Sequence, residues 1–308
     1  VTGRPYDTII GVFGIDEKTD GSLADFGIGY SQVDLKNGRP DIEAIKKTLN
    51  ADDYKMAYIQ RSRGYSLRPS LSIADIKEIC DAVRSVKKDT VIMVDNCYGE
   101  FVEKEEPCNA GADLFAGSLI KNAGGGIARS GGYIAGKAKY IEMCAARMTC
   151  AGVGREVGAS LGNNRELYMG LFAAPHTVGE ALKTAVYASA VFEELGFEVS
   201  PRSFDKRHDI IQSITLKSRE LLIDFCRGIQ KGSPIDSFAV PEPAPMPGYT
   251  DEVIMAAGAF TLGASIELSA DGPLREPYAV WLQGGLNFHT AKIGILYAAE
   301  NVLNSKGE

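Results

Sequence analysis

The chain has 308 residues, 45% hydrophobic and 24% charged, which is enough material for one large core or two domains. Its net charge of -7 and the lack of a dense Lys/Arg run argue against a nucleic-acid surface. No apolar run approaches the roughly 20 residues of a membrane span and no signal-peptide pattern opens the sequence, so a cytoplasmic protein that does not engage membranes is expected. The six cysteines, at 80, 97, 108, 144, 150 and 226, form no CxxC pair, and the three histidines are scattered. Free, mostly buried thiols in a reducing compartment are expected, and no structural metal site.

The opening "VTGRPYDTIIGVFGI" reads like the interior of a domain, and further residues are expected upstream of it. "KMAYIQRS" is a short apolar strand candidate. "SIADIKEICDAVRSVKKDT" follows, with Ile73, Ile76, Ile79 and Val83 at helical spacing and Ser72 placed to cap the helix. "VIMVDN" then gives four apolar residues in a row before Asp95, a pattern suited to a strand covered on both faces. "ADLFAGS" and "GGYIAG" read as two more strands. The order strand, helix, strand predicts an α/β layer, a mainly parallel sheet flanked by helices.

After Gly136 the pattern turns helical in "KAKYIEMCAARMTC". A second helical block, "NNRELYMGLFAA", is expected to stop near Pro175, and a third to run from about His176 to Leu195 and end at Gly196. "HDIIQSITL" predicts a strand and "SRELLIDFCRGIQKGS" an amphipathic helix. "AVPEPAPMPG" reads as a loop, "DEVIMAAGAFTLGASIEL" holds at least one strand, and "NFHTAKIGILYAAENVLN" is a closing helix. Two domains are expected: residues 1–175, and residues 176–308 as a linking helix with a smaller α+β domain.

The chemistry concentrates in residues 95–136. Asp95 ends one predicted strand, Ser118 ends another, and Lys121 follows three residues later, beside Gly124-Gly125-Gly126 and Gly131-Gly132. Ligands of open α/β sheets sit beyond the carboxyl ends of strands. A carboxylate, a hydroxyl and an amine in such a crevice suit pyridoxal 5'-phosphate. Its aldehyde takes a lysine, its ring nitrogen an acid, and its phosphate hydroxyls and backbone N–H groups. A dry pocket next to a cationic ring is expected to depress the lysine's pKa. The same residues have plainer readings. Lys121 reads equally as a solvated charge, Asp95 as a turn-former or helix cap, and the glycines as tight turns. The glycine spacing fits neither dinucleotide nor P-loop fingerprints.

The run "DTVIMVDNCYGEFVEKEEPCNAGADLFAGSLIKNAGGGIARSGGYIAG" resembles the core of fold-type-I pyridoxal-phosphate enzymes. It is similar to the cysteine/methionine-metabolism group that contains methionine γ-lyase and the cystathionine lyases. "QRSRGYSLRPSLSI", "GLFAAPHTVGEAL" and "REPYAVWLQGGLNF" narrow the resemblance to its methionine γ-lyase-like, aluminium-resistance branch. It implies a PLP-dependent transferase fold of type I whose large domain, residues 1–175, lacks an N-terminal portion. That portion carries the main phosphate-binding turn, so poor cofactor binding is expected without it. The resemblance makes Lys121 the Schiff-base lysine that also moves the proton, Asp95 the partner of the ring nitrogen, and Ser118 a phosphate contact. It places Tyr6 where an aromatic stacks on the ring. Arg68 stands where relatives often have an Asn near the ring hydroxyl, and Arg275 is a candidate for gripping the substrate's α-carboxylate. The implied activity is a carbon–sulfur lyase, by β- or γ-elimination on a sulfur amino acid, in a homo-oligomer (dimer or tetramer). Another reaction on the same cofactor, such as an aldolase or aminotransferase, and a non-catalytic member of the family are the alternatives.

Overall fold

The computed structural model describes residues 1–157, 162–259 and 265–307. In chain order the helices are α1 (Asp7–Phe13), α2 (Ile42–Ala51), α3 (Ile73–Val86), α4 (Ala138–Met148), α5 (Asn164–Glu194), α6 (Arg219–Lys231) and α7 (Phe288–Lys306). The strands are β1 (Leu35–Lys36), β2 (Arg39–Pro40), β3 (Met56–Gln60), β4 (Val91–Asp95), β5 (Leu114–Ser118) and β6 (Gly132–Gly136). They continue with β7 (Glu198–Ser200), β8 (Gln212–Thr215), β9 (Val253–Ala256), β10 (Leu268–Pro273) and β11 (Ala279–Gly284). These elements sort into two units. The first comprises Val1–Arg4, Gln32–Ser62 and Ser70–Ala174, and the second Pro5–Ser31, Arg63–Pro69 and Pro175–Glu308. The sequence pattern alone predicts one domain over residues 1–175. Two short segments, Pro5–Ser31 and Arg63–Pro69, instead make their contacts with the second unit.

In the first unit the sheet order is β3-β4-β5-β6. β3, β4 and β5 are parallel. β3 reaches β4 through α3, whose Ile73, Ile76, Ile79 and Val83 are buried at one-face spacing. Ser72 starts that helix: its Oγ accepts from the Asp75 N–H at 3.0 Å, and the Asp75 carboxylate accepts from the Ser72 N–H at 3.0 Å. Ile92 and Val94 of β4 join those isoleucines, Ile45 and Leu49 of α2, and Ile59 of β3 in one core. Each such side chain, fully buried, contributes roughly 1.5–3 kcal/mol.

β6 is the one antiparallel member of this otherwise parallel sheet. It runs antiparallel to β5, with Gly117 opposite Tyr133 and Ser118 opposite Gly132. The connection between them holds only a 3-10 turn (Asn122–Gly124), not the helix that a parallel crossover uses. The glycines of this connection have a packing reason. A Cβ on Gly124 would strike the Leu119 carbonyl, and one on Gly125, which also has a φ of +58°, would strike the carbonyl of Gly170 in α5. A Cβ on Gly170 would in turn strike the Gly124 carbonyl. Main chain therefore rests on main chain where the loop meets the helix.

The expected break at Pro175 is absent: α5 is one helix of 31 residues with Pro175 inside it. A proline removes one N–H and crowds the carbonyl four residues back, but the turns on either side keep their own ladder. The helix ends where expected, with Gly196 at a φ of +78°.

The second unit carries an antiparallel sheet of order β7-β8-β11-β10-β9. α6 and α7 share its core through Leu222, Phe225, Ile229, Ile295 and Val302, against Ile214, Ile254, Leu268 and Val280 of the strands. The proline-rich stretch at 239–248 has no strand of its own beyond a single bridge from Ala244 to Val253. β9 lies in the predicted "DEVIMAAGAFTLGASIEL" segment, whose residues 260–264 are outside the described ones. All six thiols are free, but only Cys80 and Cys226 are buried, and Cys150 is exposed. The expectation of mostly buried thiols therefore fails, because Cys144 and Cys150 lie on or beside α4, a helix with no buried residue. Among the described residues no helix is long and apolar enough to cross a membrane.

Gly170→Ala tests the main-chain contact. Overpacking of this kind costs roughly 1–3 kcal/mol, whereas Gly179→Ala in the same helix, which meets nothing within 4 Å, should gain roughly 0.5–1 kcal/mol. Urea unfolding of the two variants should move in opposite directions.

Candidate active site

Three of the sequence-selected residues lie in the first unit. Asp95 is the last residue of β4, and Ser118 the last of the adjacent strand β5. Asp95 sits across from Ala116 in the ladder. Its carboxylate accepts from the Cys97 N–H at 3.1 Å and from the Tyr58 hydroxyl at 3.2 Å. Lys121 leaves the sheet in a turn, its N–H donating to the Ser118 carbonyl at 3.4 Å. The half-buried Lys121 amine stands 4.3 Å from the centre of the Tyr98 ring. Tyr98 reaches that place with a φ of +70°, a sparsely populated conformation for a bulky side chain.

The amine's pKa does not move as expected. Burial pulls it down, but Tyr98, Cys97 and Asp95 favour the charged form more strongly, and the net direction is up. The chain's own groups thus hold the Lys121 ammonium. Burial alone does not outweigh these neighbours, and none of them is a cation that would add to its effect. Burial also pushes the neighbouring Cys97 thiol well up, with Asp95 adding to the effect.

The remaining three candidates lie in the second unit. Tyr6 caps α1 and belongs to an aromatic cluster, with ring centroids 5.7 Å from Tyr65 and 5.9 Å from Tyr249. Its hydroxyl is hydrogen-bonded to that of Tyr249, and the Tyr65 hydroxyl donates to the buried Asp271. Arg68 donates to the Pro69 carbonyl at 3.0 Å. The Arg275 guanidinium is ion-paired with Asp251 at 2.8 Å and lies 3.8 Å from Asp7. Any carboxylate ligand of Arg275 would have to compete with those two.

Two buried charged residues that the sequence reading missed, Arg61 and Glu100, hold the loop after Asp95 and the turn beside Lys121. Arg61, 0% exposed, follows β3 and reaches four acceptors: the Leu71 carbonyl at 3.3 Å, Asn96 Oδ1 at 2.8 Å, the Gly99 carbonyl at 3.0 Å and Glu103 at 3.0 Å. Glu100, also buried, accepts from the Tyr133 hydroxyl at 2.7 Å, while its Oε2 has no partner. Its main-chain carbonyl accepts from the Asn122 side chain at 3.0 Å, directly beside Lys121. Burial pushes the Glu100 carboxyl up to about 8, against the pull of Tyr133. The only sequence signal for Glu100 was an acid five residues past a strand end, which turns supply routinely. Among the described residues no group of three or more His, Cys, Asp or Glu could hold a metal ion.

The raised Glu100 carboxyl predicts a pH signature. Below its usual value of 4.5 both folded and unfolded chains carry the proton; between there and about 8 only the folded chain keeps it. Its contribution to stability therefore falls as pH rises through that window and levels off above it. Glu100→Gln lacks this fall. The stability of the variant relative to the wild type should rise by on the order of a few kcal/mol between the low and high ends of that window, measured by urea unfolding. An unchanged difference would mean that Glu100 ionises normally.

The sequence matches the methionine gamma-lyase family over residues 1–303. The Bacillus subtilis (strain 168) protein named "Uncharacterized protein YnbB" is 51% identical over 308 residues, 99% of this chain and 73% of that protein. The crystal structure of a carbon-sulfur lyase involved in aluminum resistance from Clostridium novyi NT is similar at a TM-score of 0.90 and 53% identity, covering 97% of this chain and 70% of that one. Cystathionine gamma synthase from Xanthomonas oryzae pv. oryzae, in complex with aminoacrylate and cysteine, shares the fold at a TM-score of 0.55 and 15% identity, over 92% of this chain and 71% of that one.

Proposed function

The chain belongs to the methionine gamma-lyase family, and from that premise we propose that it is a pyridoxal-phosphate-dependent carbon–sulfur lyase acting on a sulfur-containing amino acid. The observation that carries the reading is the Lys121 amine placed over the Tyr98 ring, past the end of the strand next to the one that Asp95 ends. The donor set fits the cofactor: an amine for its aldehyde, a carboxylate for its ring nitrogen, and the Ser118 hydroxyl for its phosphate. The C. novyi lyase, at 53% identity, supports the reaction class.

When bound, pyridoxal phosphate supplies an aldehyde and a protonated ring that takes up the electrons of a carbanion. Asp95 would hold the proton on the ring nitrogen. Its two oxygens are oriented by the Cys97 N–H and the Tyr58 hydroxyl, so the carboxylate does not rotate away. Lys121 Nζ gives up its proton as a positive charge comes near it, then carries the proton off the substrate Cα. Loss of the thiol from the side chain and addition of water yield a 2-keto acid and ammonia. Tyr98 fixes the direction of the amine, and Glu100 with Asn122 holds the turn that carries it.

The test is the visible spectrum of the protein after equilibration with millimolar pyridoxal phosphate, an excess that fills even a weak site, beside Lys121→Ala. A yellow band that shifts with added amino acid and is lost in the variant is expected, with thiol and keto acid released only by the wild type. Borohydride should lock the cofactor onto the peptide that contains Lys121. No band in the wild type would sink the reading.

A homo-oligomer is part of the same proposal. The exposed apolar side chains of Met143, Met148, Tyr168 and Phe172 in the first unit support it. Light scattering should give a mass two or four times that of the chain, and a monomer at micromolar concentration would refute this part.

A further inference from the structure

Two guanidiniums lie buried at one corner of the second unit, away from any role assigned above. Arg63 is 3% exposed and Arg207 is 9% exposed. Both are tied to the ends of the paired strands β7 and β8. Arg63 Nη1 donates to the Ser200 carbonyl and to Ser200 Oγ, both at 3.2 Å, and lies 3.5 Å from Ser213 Oγ. Arg207 Nη2 donates to Gln212 Oε1 at 2.6 Å and to the Ala185 carbonyl at 3.4 Å. Gln212 and Ser213 are consecutive, and Ser200 pairs with Ser213 across the ladder. Two like charges are thereby held at one place.

Their donors are not used up. Arg63 Nε, Arg207 Nε and Arg207 Nη1 are buried and have no hydrogen-bond partner. Buried donors of this kind are costly unless something accepts from them, more so on charged groups. Nor is the charge balanced. Among the described residues, the fully buried Asp209 is the one buried carboxylate whose charge acts on both arginines. It offsets one positive charge of two. Glu193 and Asp205 also act on Arg207, but Glu193 is bonded to Arg202 and the Ser203 N–H, and Asp205 to the Arg202 N–H. Consistent with an excess of positive charge, burial draws the Arg207 pKa down to about 10, and Arg63 adds to the effect.

We propose that Arg63 and Arg207 form a binding site for one compact oxyanion, either a carboxylate or a tetrahedral sulfate or phosphate. The unmatched N–H groups of Arg63 and Arg207 are its donors, and the hydroxyls of Ser200 and Ser213 border it. Arginine suits this task, since its planar fork matches the oxygens of either anion and its charge persists on burial. A single negative charge would bring the cluster to neutrality. The site needs neither the cofactor nor a catalytic residue, so it stands or falls apart from the lyase reading.

Isothermal titration of sodium sulfate and of sodium acetate into the protein, against a chloride buffer of matched ionic strength, tests it. Saturable one-to-one binding of at least one of the two is expected. Removing one charged hydrogen-bonding group typically costs 1.5–3 kcal/mol, so Arg207→Gln and Arg63→Gln should each weaken binding by at least about tenfold. Arg207→Lys, which keeps the charge and loses the fork, should fall between. Preference for sulfate marks a tetrahedral anion site, and preference for acetate a carboxylate site. Far-UV circular dichroism checks that each variant folds. Should neither glutamine variant fold, selenate-soaked crystals of the wild type decide, with anomalous selenium density expected beside both guanidiniums. No saturable heat from either anion, equal binding in the folded glutamine variants, or soaked crystals without that density would overturn the proposal.

Discussion

The first unit depends on one buried cation. Arg61 follows β3 and binds, through a single guanidinium, the segment that leads into α3 and the loop that leaves β4. A buried guanidinium costs several kcal/mol in desolvation unless every donor finds an acceptor. Here the acceptors come from Leu71, Asn96, Gly99 and Glu103, spread over 33 residues of chain. The cost of the charge thus becomes a constraint on backbone: the loop after Asp95 can take one course only. Gly99 shows how tight that course is, since a Cβ there would strike the guanidinium. The positive φ values of Tyr98 and Phe101 fall in the same loop, where the fixed ends leave less regular backbone between them.

That constraint sets the electrostatics of the lysine. Tyr98 is held over Lys121 by the loop that Arg61 fixes, and Glu100 of the same loop holds Asn122. The protein surrounds one amine with an acid, a thiol and a phenol, and places behind it a carboxyl that stays protonated into the neutral range. A site of this kind favours a resting cation. On the proposed reading, a second positive charge brought in by a ligand would release that proton and tie the reactivity of the lysine to the ligand's presence.

The sequence was informative where the signal was local. The run at 91–95, the cap at Ser72 and the spacing of the isoleucines in α3 each rest on a few neighbouring residues, and each appears as read. The ends of two adjacent strands likewise bring Asp95 and Ser118 together with the turn that carries Lys121. What was misread depends on contacts distant in sequence. Gly124, Gly125 and Gly170 look like turn glycines until the loop is seen resting on the helix. Arg61 resembles any charged residue after a strand, and its burial needs Glu103 and Asn96 to be in place. Pro175 is a strong local signal for a break, overridden by the helical ladder on both sides of it. The two chain segments that leave the first unit for the second carry no compositional mark, because unit membership is a property of contacts and not of composition.

The meeting of Gly124 and Gly170 gives helix α5 an angular setting. A helix seated on side chains can roll by small amounts, since rotamers adjust beneath it. One seated on main chain has no such compliance: advancing by one residue turns the contact face by about 100° and presents Met169 or Leu171 where only a hydrogen fits. The loop that carries Lys121 is therefore indexed to the helix, like a key to a single slot. Torsion in α5 between Asn164 and Ala174 is transmitted to the lysine turn without a side chain to absorb it.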